Sequence, residues 1–346
     1  MQRREGTAWL AARVHPHPST RTYGGVDGMN ASRTIPVRVT HVEPVTQDVR
    51  RFTLESANQS RLPAYSAGSH VVVTMRGKER IWRNAYSLTT PAGARDAYQI
   101  IVRRVPQSRG GSAFMHSEVH EGSELEISMP SNFFPIARCG AKHVMIAGGI
   151  GLTPFLSMLP ELAQARARVE MYLCCRPEDE AVFTEIVAKR TTGGVAVYTD
   201  LCDARERFGD MLAAQPAGTH LYTCGPEGLM NGVARTAREL GWPASHFHQE
   251  SFGGGSHGEP FIAVLAQSGR AIRVRSDESL LEALEREGID APYMCRGGAC
   301  GTCALEVLDG EPDHRDFCLG ETERATGGQM LPCVSRARGE RLVLNI

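Results

Sequence analysis

Several things are missing from this chain, and each absence narrows what it can do. There is no excess of charge: 38 basic residues stand against 39 acidic ones, a net charge of −1 over 346 residues. That removes the general electrostatic reason to expect nucleic acid or an anionic membrane as partner. No apolar run reaches membrane-spanning length. The longest, Val144 to Leu159, is interrupted by Gly148, Gly149, Gly151 and Pro154 and reads as a strand followed by a helix. No paired-carboxylate or Ser-His-Asp pattern points to acid–base or acyl-transfer chemistry. No internal repeat is present. Residues 1–34 are rich in Arg, His, Thr and Gly, with no sustained hydrophobic region or cleavage pattern, and despite Arg3-Arg4 they read as a poor export signal. They read as a disordered extension, upstream of an alternative start at Met29. Ten cysteines in a chain of this length do not make a disulfide scaffold, so a reducing cytoplasm is the expected compartment.

The cysteines that are present are patterned. Cys295, Cys300 and Cys303 lie in Cys295-Arg296-Gly297-Gly298-Ala299-Cys300-Gly301-Thr302-Cys303, and Cys333 follows in Leu331-Pro332-Cys333-Val334-Ser335. This is the C-x4-C-x2-C…C spacing of plant-type [2Fe-2S] sites. Four thiolates must converge on two irons, and a loop of small residues lets backbone N–H groups turn toward the sulfurs. Zinc fits less well, since its sites use two separate C-x2-C or His-containing pairs. Cys139, Cys174, Cys175, Cys202 and Cys318 follow no such pattern and read as small buried hydrophobes.

Upstream, the pattern changes twice. Residues 35–138 alternate in short runs (Val37–Val42, Val49–Leu54, His70–Met75, Ala85–Thr89, Ala97–Val105, Ser123–Ser128) separated by turn formers, which predicts an antiparallel barrel. Gly110-Gly111-Ser112 opens a short helix there, either as a plain cap or as an anion site. Residues 139–252 alternate strands with helices, predicting a parallel α/β domain. Gly148-Gly149-Ile150-Gly151-Leu152-Thr153-Pro154 follows the first strand. It lacks the G-x-G-x-x-G form but occupies the place where such domains receive a dinucleotide. Residues 253–260 read as a glycine-rich linker, and 261–346 as a small domain partly stabilised by its cluster.

Taken in order, these three units resemble the phthalate dioxygenase reductase family, the single-chain electron donors of Rieske-type oxygenases. The motifs that carry the resemblance are Tyr86-Ser87-Leu88, Gly110-Gly111-Ser112 with His116, Gly148 to Pro154, Cys224-Gly225-Pro226 with Met230, His248 to Phe252, and the four patterned cysteines. The resemblance implies a flavin-binding barrel, an NAD-binding α/β domain and a C-terminal α+β domain of the β-grasp ferredoxin type. It also implies a monomer that passes electrons from NADH, rather than NADPH, through flavin and cluster to a terminal oxygenase. A di-iron monooxygenase or a cytochrome is the alternative acceptor, and a redox-sensing binding protein the alternative of another class.

Residue by residue, the resemblance places Tyr86 on the flavin ring, Ser87 near its N5, and Gly110, Gly111 and Ser112 at its phosphate. FMN is the expected flavin, with FAD as alternative. Where the family has Arg two residues before the Tyr, this chain has Asn84, with Arg83 beside it; either could serve the phosphate. Gly149, Gly151, Thr153 and Pro154 would border the nucleotide, and Cys224, Gly225 and Pro226 the nicotinamide. Arg176 would meet the adenosine ribose, with Glu178 and Asp179 disfavouring a 2′-phosphate. Glu250 would close the flavin site, leaving Ser87, Cys224 and Glu250 as the catalytic set. The loop around Arg296 is expected to present an exposed face to the partner. The purified protein should show flavin absorption bands over an iron–sulfur background, and a colourless, zinc-containing preparation would overturn this reading.

Overall fold

The computed structural model describes residues 34–78, 80–106, 108–191, 193–199, 208–252 and 258–346. The expected N-terminal extension up to residue 33, Cys202, and residues 253–257 of the expected linker lie outside them.

Six strands form the first unit: β1 Ile35–Thr46, β2 Val49–Ser56, β3 His70–Arg76, β4 Ile81–Ser87, β5 Ala97–Arg103 and β6 Glu124–Ile127, in the order β4-β3-β6-β1-β2-β5. All pairings are antiparallel. Just past β4, the Thr89 N–H and hydroxyl both donate to the Gln99 carbonyl in β5, so the two edges of the sheet meet and the barrel closes. The alternation seen in the sequence puts Val37, Val39, Phe52, Leu54, Val71 and Val73 inside. The helix Gly111–Ser117 lies against this barrel.

The second unit is a parallel sheet of β7 Lys142–Gly148, β8 Arg168–Cys174, β9 Gly194–Tyr198, β10 Thr219–Cys224 and β11 Phe247–Glu250, in the order β11-β10-β7-β8-β9. From β7 the chain winds outward through β8 and β9, then returns to the other side for β10 and β11. The carboxyl ends of β7 and β10 therefore flank the topological switch point, where open α/β sheets leave a crevice. β7 is buried from His143 to Gly148, as a strand covered on both faces must be. Four-residue β11 is too short and too polar to announce itself in the sequence; it exists because it pairs with β10.

The third unit is a mixed sheet, β13-β12-β18-β14-β16, built from β12 Phe261–Leu265, β13 Ala271–Val274, β14 Leu305–Asp309, β16 Gln329–Met330 and β18 Arg341–Leu344, with β15 Pro312–Asp313 paired to β17 Arg336–Ala337. Its helix Leu280–Arg286 starts in a capping box: the Glu282 N–H donates to Ser279 Oγ (3.2 Å) and the Ser279 N–H to Glu282 Oε2 (2.9 Å). Leu280, Leu281 and Leu284 pack into the same core as Leu342 and Leu344. Two of the unpatterned cysteines depart from expectation. Cys174 and Cys175 are buried, but Cys139 and Cys318 are exposed.

The amino ends of β7, β10 and β11 gather four histidines. His220 Nδ1 lies 2.9 Å from His248 Nε2, the His220 ring stacks on His246 at 4.3 Å, and His143 stands 6.4 Å from His220. Burial, reinforced by the neighbouring imidazoles, pushes His143 and His248 down to about 4 and lowers His220. An unfolded histidine takes up its proton near 6.5. Stability is therefore complete above that pH and is lost as pH falls toward 4, by roughly 1.4 kcal/mol per pH unit for each histidine still neutral. Because this loss belongs to the histidines, the melting temperature of His248→Gln should fall less, relative to its value at pH 7.5, than that of the parent when melts are compared at pH 7.5, 6 and 5.

Candidate active site and candidate cluster loop

Three sequence-selected residues from two units come together at the carboxyl end of β10. Cys224 and Glu250 are register partners across the β10–β11 ladder, and Ser87 Oγ at the end of β4 lies 3.4 Å from Glu250 Oε2. Burial raises the Glu250 carboxyl to about 8, against the opposing effect of the Ser87 hydrogen bond. The Cys224 thiol is raised well above its ordinary value, by burial first and by Glu250 second. At neutral pH this is therefore an uncharged cluster of a protonated carboxyl, a hydroxyl and a thiol.

The switch-point crevice is formed by two turns in backbone contact. A Cβ on Gly151 would be driven into the Cys224 carbonyl, and one on Gly225 would come within 2.7 Å of the Gly148 Cα. Only glycine lets the β7 and β10 turns approach this closely. Thr153, buried at the head of the helix Thr153–Gln164, donates its hydroxyl to the Ile150 carbonyl at 3.1 Å, and Pro154 follows within the first turn. Pro226 precedes the helix Glu227–Glu239.

The two-residue pleat of β4 separates Arg83 from Asn84. Trp82, Asn84 and Tyr86 turn toward the helix Gly111–Ser117: the Trp82 indole lies 3.1 Å from a Cβ placed on Gly110, the Asn84 amide 2.5 Å from one on Gly111, and Asn84 Nδ2 donates to the Tyr86 hydroxyl at 3.2 Å. Ser112 Oγ accepts from the Val105 N–H (3.1 Å) and meets Ser108 Oγ. Arg83 points the other way, 3.4 Å from Glu285 in the third unit. Asn84, not Arg83, thus stands beside Gly111. Arg176 is similarly engaged, with Asp48 and Asp179 at 3.0 Å and Glu178 at 3.2 Å.

The four patterned cysteines surround one loop as two pairs. Cys303 and Cys333 have their sulfurs 3.3 Å apart, and the Cys300 thiol is pulled down, chiefly by its hydrogen bond with Cys295 and further by Thr302. Two thiol pairs suit a binuclear centre, each pair serving one iron. The Gly297 N–H points to Cys295 Sγ at 3.4 Å. The loop reaches this shape through left-handed backbone at Arg296, Gly298 and Gly301 (φ 54°, 76° and 71°), and a Cβ on Gly298 would press to 2.7 Å from Val334. Arg296 departs from expectation. Its side chain is only 6% exposed, paired with Glu285 and stacked 4.4 Å over the Tyr293 ring, so it offers no free face. The exposed large side chains beside the loop are Met294 and Phe317 instead.

Comparison with known proteins agrees with the order of the units. An oxidoreductase FAD-binding domain matches residues 36–134, the N-terminal domain of a dimethylamine monooxygenase subunit (DmmA-like) matches 132–247, and a 2Fe-2S iron–sulfur cluster binding domain matches 264–338. The chain is 38% identical over 313 residues to the carnitine monooxygenase reductase subunit of Acinetobacter baumannii, covering 90% of this chain and 98% of that one. It is 36% identical to the heme-dependent oxidative N-demethylase beta subunit of Ectopseudomonas mendocina, covering 91% and 100%. The solved structure of phthalate dioxygenase reductase superposes with a TM-score of 0.76 at 31% identity, covering 91% and 98%. An electron-transfer flavoprotein with a resident [2Fe-2S] cluster is the class so defined. The chain belongs to the phthalate dioxygenase reductase-like family, as an NAD(P)H-dependent reductase component serving an oxygenase.

The buried Glu250 carries a stability consequence. It keeps its proton up to about 8 in the fold but loses it near 4.5 when unfolded, so stability falls as pH rises between these values and is flat beyond. Glu250→Gln should remove that dependence. Its melting temperature should match the parent at pH 4.5 and exceed it at pH 9, by an amount equivalent to a few kcal/mol at most.

Proposed function

We propose that this protein passes electrons from NADH through FMN and its [2Fe-2S] cluster to a Rieske-type oxygenase, working as a cytoplasmic monomer. The observation that carries the proposal is a contact: the Glu250–Ser251 segment touches the cluster loop, with the Ser251 carbonyl 3.4 Å from a Cβ placed on Gly297. The uncharged Ser87–Cys224–Glu250 cluster and the four-thiol loop therefore share one wall.

A flavin supplies the conversion between a two-electron hydride and single electrons, and an iron–sulfur cluster carries them singly. The chain's own residues do the rest. Tyr86 provides an aromatic face, and its hydroxyl, raised to about 12 by burial, stays protonated. Gly111 and Ser112 offer backbone N–H groups to a phosphate, while the Gly110 N–H donates to Ser108 Oγ and its left-handed backbone brings the chain into the helix, with the Asn84 amide in the place of the family's guanidinium. Ser87 and Glu250 hold a proton where the hydride acceptor would sit. Cys224, Gly225 and Pro226 and the turn from Gly149 to Pro154 line the opposite wall for the nicotinamide. Arg176 favours NADH, because three carboxylates already share its charge. Cys295 and Cys300 would hold one iron, Cys303 and Cys333 the other.

A heme acceptor is the second reading, favoured by the likeness to the heme-dependent N-demethylase subunit. Mixing with purified Rieske oxygenase and with purified heme monooxygenase under anaerobic NADH separates the two by which chromophore is reduced. For the circuit itself, Cys295→Ser should leave NADH-driven flavin bleaching and dye reduction intact and abolish electron delivery to the oxygenase. Loss of flavin bleaching in a folded variant would mean that the carriers do not act in this order.

A further inference from the structure

Three arginines of the barrel meet three carboxylates of the ferredoxin-type domain along one seam. Arg80, immediately before β4, bonds the Asp277 carboxylate at 2.8 Å and its carbonyl at 3.1 Å. Arg83, within β4, lies 3.4 Å from Glu285. Arg109, immediately before Gly110, lies 2.7 Å from Glu282. Glu282 and Glu285 are three apart on the helix Leu280–Arg286 and so present one acidic face. Glu285 also takes both Nη atoms of Arg296, at 2.8 and 2.5 Å. One carboxylate thus joins the barrel strand to the cluster loop.

The burial is graded. The Glu285–Arg296 pair is nearly sealed, at 17% and 6% side-chain exposure, while Asp277 is 52% exposed. Salt screens exposed charges beyond about 10 Å at 0.1 M and beyond roughly 3 Å at 1 M, and screens buried pairs much less. Of the contacts between the domains, the Arg80–Asp277 pair is the one open to salt, since Glu282 and Glu285 are only 10% and 17% exposed; high salt therefore acts on that pair before it acts on the contact that shapes the loop.

Resting on the flavin-and-cluster reading above, we propose that this arginine–carboxylate seam is a positioning device: Asp277, Glu282 and Glu285 hold the cluster loop against β4 in the arrangement that passes an electron from flavin to cluster, and ionic strength sets how long the domains stay so held. The step is balanced within the chain. One electron leaves the reduced flavin, one ferric iron becomes ferrous, and no bond or proton crosses the seam.

The test uses the full holoprotein and its Asp277→Asn, Glu282→Gln and double variants, in stopped-flow mixing with NADH and in small-angle scattering from low to high salt. These variants leave the Glu285–Arg296 pair of the cluster loop in place and keep the capping box. Expected for the double variant at low salt is an unchanged flavin-reduction rate, an unchanged visible circular dichroism of the cluster, and a flavin-to-cluster step slower by about 3- to 10-fold. The parent should slow in the same direction at about 1 M salt, with its radius of gyration rising toward the value the double variant already has. An unchanged second step and radius in the double variant overturn the proposal. So does a slowed step that comes only with altered cluster dichroism, since the residues would then shape the loop alone. If the parent's cluster takes no electrons at all, the functional reading fails instead, and the radii still decide whether the seam holds the domains.

Discussion

The pleat of β4 is the constraint on which the architecture turns. Successive side chains of a strand leave on opposite faces, so one seven-residue segment can address two neighbours at once. Trp82, Asn84 and Tyr86 meet the Gly111–Ser117 helix, while Arg83 and Ser87 meet residues of the other two units. A slip of one residue would exchange the two sets, and the antiparallel register with β3, which pairs Val71 with Tyr86 and Val73 with Asn84, prevents it.

Two electrostatic regimes sit side by side around that strand. Glu250 is desolvated and lacks a cation, so it is held neutral. Glu282 and Glu285, on the neighbouring helix, are nearly as shielded but face guanidinium groups, and the nearby arginines hold Glu282 below its ordinary value although burial works against it. The same residue type serves a proton-holding purpose in one place and a domain-holding purpose in the other. The partner decides which.

Much of this was legible in the chain. The cysteine spacing needs no tertiary information, since a loop of small residues and a distant fourth thiol admit few other readings. The alternating strands of the barrel and the buried β7 were equally plain, because their apolar period is fixed by what they bury. What could not be read is whatever depends on a partner far along the chain. β11 is a strand only beside β10. The side from which Arg83 is met depends on Glu285, some two hundred residues away. Arg296 looked exposed because a charged residue among glycines ordinarily is, and only the carboxylate that receives it makes burial affordable. Cys139 and Cys318 lie at the surface, a placement that no local pattern announces.

The near-equality of positive and negative residues, first met as an absence, takes on another meaning beside the seam. A sum over the chain treats charges as interchangeable, yet here arginines gather on the barrel's side of a boundary and carboxylates on the other. Either of these two units taken alone would display a polarised face that the other largely covers in the whole molecule. Neutrality in such a chain is an outcome of assembly, and a fragment cut at the boundary would be a stickier object than the intact protein.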